Sequence, residues 1–134
     1  MRILRTGQRD WECRPLARAI IGRLTRKYGS KIVIVHGNGN GVDQAFAIEC
    51  REGNITVEAH PAKWELGKRA GPLRNAEMIA TKPDFVTAIH RDLARSKGTK
   101  DCVKQALEAG LDVFLFDSEH GEPKRIKAAD ERQK

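Results

Sequence analysis

The sequence predicts an α/β fold: a Rossmann-like, doubly wound parallel sheet of five strands with helices on both faces. The alternation of its segments predicts it. Short apolar runs rich in Val and Ile alternate with amphipathic segments in the order βαβαβαβαβ, which is the pattern of parallel sheets. The loops that follow the strands carry glycine, arginine and tryptophan, whereas the loops at the opposite ends are plain turns such as KYGS and REGN, and this asymmetry is a signal of function. Right-handed crossovers then favour the strand order 3-2-1-4-5.

The first half of the chain contains three predicted strands and two predicted helices. The first helix covers residues 13–28, because apolar residues recur every four positions from Leu16 to Tyr28 and Pro15 suits its first turn. The second helix has an apolar face that starts at Val42, and the helix closes at Gly53. The strands are predicted at residues 2–6, 31–36 and 55–60.

The second half contains two further strands and two further helices. Residues 61–71 are predicted as a loop, and a helix follows from Pro72 to about Thr81. Another helix starts at Thr99, which suits an N-cap, and ends at Gly110. The strands are predicted at residues 84–90 and 112–116. The folded domain is therefore expected to cover residues 1–117, with a polar, charged tail at 118–134.

Charge and cysteine content narrow the functional classes. The net charge is +7, and the segment from Asp117 onward is neutral, so the excess lies in the folded part. A basic domain suits a nucleotide-derived small molecule or a nucleic acid, although solubility alone also explains it. No apolar run approaches the ~20 residues of a membrane span, and no secretory signal opens the chain. Three widely separated cysteines indicate reduced thiols and a cytoplasmic location.

Four loops form the predicted binding rim. In doubly wound sheets, ligands bind at the carboxyl ends of the strands, near the point where the strand order reverses. The loops at that end are GQRDW after the first strand, HGNGNGVD after the second, PAKWELGKRAGPLRN after the third and RDLARSKGT after the fourth. All four carry residues that suit ligand binding, so we expect the functional site there.

Two of these loops lead into helices through glycine. HGNGNGVD places Gly37, Gly39 and Gly41 before a helix, where free N–H groups and the helix dipole attract anions. The spacing differs from the GxGxxG dinucleotide fingerprint, and a tight turn remains an equal alternative. Asp43 likewise suits a first helical turn without any ligand. Gly98 and Thr99 form a similar but shorter helix start.

The remaining candidates are an arginine, a tryptophan and three histidines. Arg74, next to Asn75, is predicted in a first helical turn, where a cation is unfavourable unless it meets an anion. Trp64 suits stacking on a base or packing of its own loop. The histidines end three strands that are not all adjacent, so we predict no metal site and no cofactor. They are His36, His60 and His90.

The segments RILRTGQRDW, IVHGNGNGVDQAFA, AGPLRNAEMI and GTKDCVKQALEAGLDVFLFD resemble, in this order, the small YspA-like proteins of the SLOG superfamily. These are Rossmann-like domains implicated in binding nucleotide-derived ligands. The resemblance covers about residues 1–117 and implies a ligand at the four loops. By position it points to Gly7, Arg9, Asp10, Trp11, His36, Gly37, Gly39, Gly41, Asp43, Arg74, Asn75, Gly98 and Thr99.

The same superfamily includes the Lonely-guy phosphoribohydrolases, which cleave an N-glycosidic bond. Their pattern has two parts. The first is an Arg that precedes a Glu–Met pair, and the second is the motif PGGxGTxxE. This chain keeps Arg74 and Glu77, but Cys102 stands where that family has its catalytic Glu, and Asp101 lies one residue earlier. If the chain is an enzyme of this kind, the resemblance implies Arg74, Glu77 and Asp101 as its catalytic candidates.

The sequence therefore predicts a domain that binds a nucleotide or a nucleotide-derived phosphate ligand, and a sensor role is one interpretation. Two alternatives stay open. One is a nucleoside-monophosphate N-glycosidic hydrolase. The other is a nucleic-acid-binding module, because a DNA-processing protein of natural transformation is a further relative in the superfamily. Nothing in the sequence decides the oligomeric state, so a homo-oligomer also stays open.

Overall fold

The computed structural model describes residues 1–8, 11, 14–29, 31–37, 42–118 and 122–126, without the side chains of residues 42 and 43. The strands are β1 (Arg2–Gly7), β2 (Val33–His36), β3 (Thr56–Ala59), β4 (Phe85–Ile89), β5 (Val113–Phe116) and β6 (Lys124–Ile126). The α-helices are α1 (Arg14–Tyr28), α2 (Val42–Glu52), α3 (Ala70–Ala80) and α4 (Gly98–Glu108). Two 3-10 helices cover Trp64–Arg69 and Leu93–Arg95.

The strands form one sheet in the order β3-β2-β1-β4-β5-β6. The pairs from β3 to β5 are all parallel, so the predicted α/β class and the order 3-2-1-4-5 are confirmed. β2 and β3 lie on one side of β1, and β4, β5 and β6 lie on the other, so the strand order reverses between β1 and β4. The carboxyl ends of these two adjacent strands lie side by side. Gly7 pairs with Ile89 at that end of the sheet.

The sequence does not predict the sixth strand. β6 pairs antiparallel with β5 inside the segment expected to be a polar tail. Two ion pairs fix it: Lys124 Nζ lies 2.7 Å from Asp117 Oδ2, and Arg125 Nη2 lies 2.6 Å from Asp112 Oδ2. A strand of three residues with two lysine or arginine side chains carries no readable hydrophobic alternation, and charged side chains are typical of sheet edges.

The core consists of two apolar layers on opposite faces of the sheet. Successive strand residues point to opposite faces, so Ile3 and Ile34 pack with α1 and α2, whereas Leu4 and Val35 pack with α3 and α4. Helices therefore cover both faces, as the doubly wound prediction requires. Within the described residues, no helix combines the length and the apolar character that a membrane crossing needs.

The start of α3 differs from the prediction. The helix begins at Ala70, two residues before Pro72. Pro72 is thus the third helical residue, where an N–H has no partner in the helix and a proline is tolerated. The preceding residues form a 3-10 helix that turns at Gly67, whose φ is 73° and ψ is −143°. Arg74 consequently lies in the second turn of α3, and the expectation of a cation in the first turn is wrong.

Candidate functional site

An open cleft of about 920 Å³ lies over the carboxyl ends of β1 and β4. Its walls come from the ends of β1 and β2, from the segment leading into α3, from α3 itself and from the start of α4. The structure brings together eight of the residues that the sequence predicts. They are Gly7, Gly37, Trp64, Arg74, Asn75, Gly98, Thr99 and Asp101.

Among the described residues, the charged side chains along this cleft are mostly cations. Lys68, Arg74 and Lys97 line its walls, and Arg5 lines it from the middle of β1. Arg5 is only 1% exposed, and its guanidinium lies 4.5 Å from the centre of the Phe46 ring. The side chain of Arg5 therefore packs toward α2, and we do not count Arg5 among the cations offered to a ligand.

Arg74 joins two walls of the cleft. Its Nη1 donates a hydrogen bond of 2.9 Å to the carbonyl oxygen of Gly37, at the end of β2. A Cβ atom at position 37 would lie 2.8 Å from the guanidinium carbon of Arg74. The glycine at position 37 therefore lets the guanidinium of Arg74 pack directly against the backbone, and no unusual φ is involved.

Asn75 is buried, with 2% exposure, and lies between Arg74 and the start of α4. Its Oδ1 accepts a hydrogen bond of 3.1 Å from Arg74 Nε. Its Nδ2 donates to the Gly98 carbonyl at 3.2 Å and to Asp101 Oδ2 at 3.0 Å. Gln105 Nε2 donates to the same Asp101 oxygen at 2.7 Å. One network of side chains thus connects α3 to the N-terminal turn of α4.

The N-terminus of α4 faces the cleft. Ser96 Oγ accepts a hydrogen bond of 3.0 Å from the Thr99 N–H, and Thr99 is buried. A Cβ atom at Gly98 would meet nothing within 4 Å, and the φ of Gly98 is not positive. No neighbouring protein atom therefore requires glycine at position 98. The absence of a side chain there leaves room for close approach to the helix start.

Comparison with known proteins identifies the family. Residues 1–67, half of the chain, match the model of the YspA, cpYpsA-related SLOG family. The chain is also 39% identical over 123 residues to the Gene 61 protein of Mycobacterium phage D29, which covers 86% of this chain and 95% of that protein. The chain belongs to the YspA, cpYpsA-related SLOG family. No solved structure matches it.

Three predicted residues of this SLOG protein lie outside the cleft lining. Trp11 is buried in the core, and the Arg91 guanidinium lies 5.2 Å from the centre of its ring. His36 is buried at the end of β2. Glu77 is exposed on α3, and its Oε1 lies 2.8 Å from His60 Nδ1.

Other predicted residues fall outside the described part of the chain. These are Arg9, Asp10, Gly39 and Gly41. Asp43 is placed by its backbone in the first turn of α2, while its side chain is not described. The glycine loop after β2 therefore contributes Gly37 to the site geometry, and the remainder of that loop stays a prediction.

The three strand-end histidines have different surroundings. His90 lines the cleft, and its Nδ1 accepts a hydrogen bond of 2.9 Å from the Asp92 N–H. His60 lies between two carboxylates, with Nε2 2.7 Å from Glu58 Oε2. Burial lowers the pKa of His60, but the hydrogen bonds to Glu58 and Glu77 outweigh that effect and raise the pKa above its ordinary value. The hydrogen bond from His60 is also the main cause that lowers the pKa of Glu58.

Proposed function

We propose that this SLOG protein binds a nucleotide or a nucleotide-derived phosphate ligand in the cleft, with sensing of that ligand as its first candidate role. The observation that carries the proposal is the convergence of cations on one cleft. Lys68, Arg74 and Lys97 all line it, and the N-terminus of α4 opens into it. Free N–H groups and the dipole at a helix start add to the positive potential.

The shape of the cleft supports a small molecule. Its volume of about 920 Å³ falls in the range of ~300–1,000 Å³ that small-molecule sites occupy. Trp64 lies on the wall at 55% exposure, so its indole offers an aromatic surface beside the cations. An aromatic surface suits a nucleobase, and the cations suit a phosphate. A nucleotide carries both groups in one molecule.

Arg74 is the residue we assign to the phosphate. A guanidinium can donate two parallel hydrogen bonds to a phosphate. The hydrogen bonds to Gly37 and Asn75 hold its side chain along the cleft, so little conformational freedom is lost when a ligand binds. Hydrogen bonds to charged groups contribute about 1.5–3 kcal/mol, so losing Arg74 corresponds to a tenfold or larger loss of affinity.

The test is calorimetric titration with the four 5′-nucleoside monophosphates. Arg74→Ala should weaken binding by at least tenfold. Arg69→Ala is the matched control, because Arg69 is exposed just before α3 and is not part of the cleft lining. That control removes the same charge nearby, so its affinity should change little. Equal affinities for the wild type and Arg74→Ala would place the phosphate elsewhere.

N-glycosidic hydrolysis is the second candidate function. Asp101 supports it, because this carboxylate lines the same cleft as Arg74. Two features favour binding without hydrolysis. The position of the Lonely-guy catalytic Glu carries Cys102, which is fully buried. Glu77 lies against His60 and is not among the residues that line the cleft. Release of free base from nucleoside monophosphates would identify an enzyme.

Nucleic-acid binding is the third candidate, and the charge of +7 supports it. Lys97, Lys100 and Lys104 are exposed around the start of α4, so positive charge continues beyond the cleft. A polynucleotide that followed this surface would contact several phosphates. Its affinity would then fall steeply with salt, whereas one bound nucleotide gives a shallow dependence.

A further inference from the structure

A carboxylate stands among the cations of the cleft. Asp101 lies in the first turn of α4 and lines the cleft together with Arg74 and Lys97. A carboxylate repels an anionic ligand, so it weakens a site that serves only to hold phosphate. It favours binding when the ligand also carries hydrogen-bond donors, because an ionised carboxylate is an acceptor at both oxygens.

The side chain of Asp101 is held by neighbours that use only one of its oxygens. Asn75 and Gln105 both donate to Oδ2, at 3.0 and 2.7 Å. Within the described part of the chain, no hydrogen bond reaches Oδ1. The amide groups therefore fix the orientation of the carboxylate and leave its second oxygen available as an acceptor.

The carboxylate and the phosphate-binding arginine are separated by one amide group. Arg74 Nε bonds to Oδ1 of Asn75, and Nδ2 of the same side chain bonds to Asp101. A ligand that contacts both Arg74 and Asp101 must present an anionic group and a hydrogen-bond donor close together. A ribose 5-phosphate unit does so, because its phosphate and its 2′- and 3′-hydroxyl groups are parts of one small group.

We propose that Asp101 accepts a hydrogen bond from a ribose hydroxyl of the bound nucleotide and so makes the site selective for the intact ribose. This inference rests on the proposed function and narrows it to ribonucleotides. Asn75 and Gln105 act as positioning residues for the carboxylate. A site with a buried or held acceptor rejects an analogue that lacks the matching hydroxyl, because the acceptor then loses its solvent without gaining a partner.

The experiment measures the affinities of 5′-ribonucleoside monophosphates and of their 2′-deoxy and 3′-deoxy counterparts by calorimetry. For the wild type, at least one deoxy series should bind about tenfold more weakly, the effect expected for one hydrogen bond to a charged group. In Asp101→Asn, the amide oxygen can still accept from Asn75 and Gln105. The amide NH₂ then replaces Oδ1, and an NH₂ group cannot accept from a hydroxyl.

The NH₂ group can only donate to the hydroxyl oxygen, in a neutral hydrogen bond that is weaker than one to a carboxylate. Asp101→Asn should therefore lose most of the preference for the ribo form and keep its folded structure. Glu108→Gln is the matched control, because Glu108 is exposed at the end of α4. Removing its charge should leave the ratio of ribo to deoxy affinity unchanged. Equal affinity of the wild type for all three series, or an unchanged ratio in Asp101→Asn, would overturn this inference and leave nucleotide binding intact. Failure of the wild type to bind any of these nucleotides would instead overturn the proposed function.

Discussion

Substitution of Gly37 tests the geometry of the site without removing any charge. In Gly37→Ala, the added Cβ would lie 2.8 Å from the guanidinium carbon of Arg74. Carbon atoms in contact normally lie about 3.5–4.0 Å apart, and Arg74 Nη1 lies still closer to the added Cβ than the guanidinium carbon does, so one of the two groups must move by at least about 1 Å. The arginine side chain moves more easily than the backbone. We therefore expect the hydrogen bond from Arg74 to the Gly37 carbonyl to break.

The expected effect on stability is small because two contributions oppose each other. The lost hydrogen bond is part-buried and can be replaced by water, so it costs about 1 kcal/mol. The φ of Gly37 is outside the left-handed region, so alanine fits the native backbone. Alanine also reduces the conformational entropy of the unfolded chain, which adds about 0.4–1 kcal/mol to the free energy of unfolding. The net change lies within about 1 kcal/mol, or roughly 4 °C in melting temperature for a domain of this size.

The expected effect on binding is much larger. Displacing the guanidinium removes the phosphate contact, so nucleoside monophosphate affinity should fall at least tenfold in calorimetry. Gly22→Ala is the control, because Gly22 lies in α1 with an arginine atom, Arg26 Nη1, 3.3 Å from the added Cβ. That variant should bind normally. Unchanged affinity in a folded Gly37→Ala protein would refute the role of Arg74 at the cleft.

Three other predictions use independent measurements. Gly98→Ala should retain the melting temperature, because its Cβ meets no protein atom within 4 Å, and should weaken nucleotide binding; unchanged binding would show that no ligand approaches the start of α4. The folded-state pKa of His60 is raised above its ordinary 6.5, so its stabilisation is complete below pH 6.5 and is lost as the pH rises through the folded-state pKa. The melting temperature should fall over that window in the wild type and not in His60→Gln. Nucleotide affinity should depend only weakly on salt, and a steep decline across a salt titration would favour the nucleic-acid alternative.

The fold was predictable because its signals are local and periodic. Apolar residues every four positions identify α1, and the alternation of strands and helices leaves few arrangements of the sheet. β6 was not predictable, because three residues carry no period and its charged side chains resemble those of a tail. The start of α3 was misplaced because Pro72 resembles a first helical residue, whereas the helix begins at Ala70.

The site was predictable at the level of loops but not of side-chain direction. The topology rule places the loops after the strands at one end of the sheet, and this brings Gly37, Arg74 and Gly98 to one cleft. The same rule cannot show that Trp11 packs into the core. It also cannot show that the side chain of Arg5, inside β1, packs over the Phe46 ring of α2. Those placements depend on packing between distant segments.

Mapping amide shifts in a ¹H–¹⁵N NMR titration with 5′-nucleoside monophosphates tests the central claim most directly. A chain of 134 residues is well suited to this measurement. The account predicts saturable shifts at Gly37, Arg74, Asn75, Gly98 and Thr99, with little change along the face of α1. Absence of any saturable shift, or shifts confined to α1 and α2, would contradict a nucleotide site in the cleft.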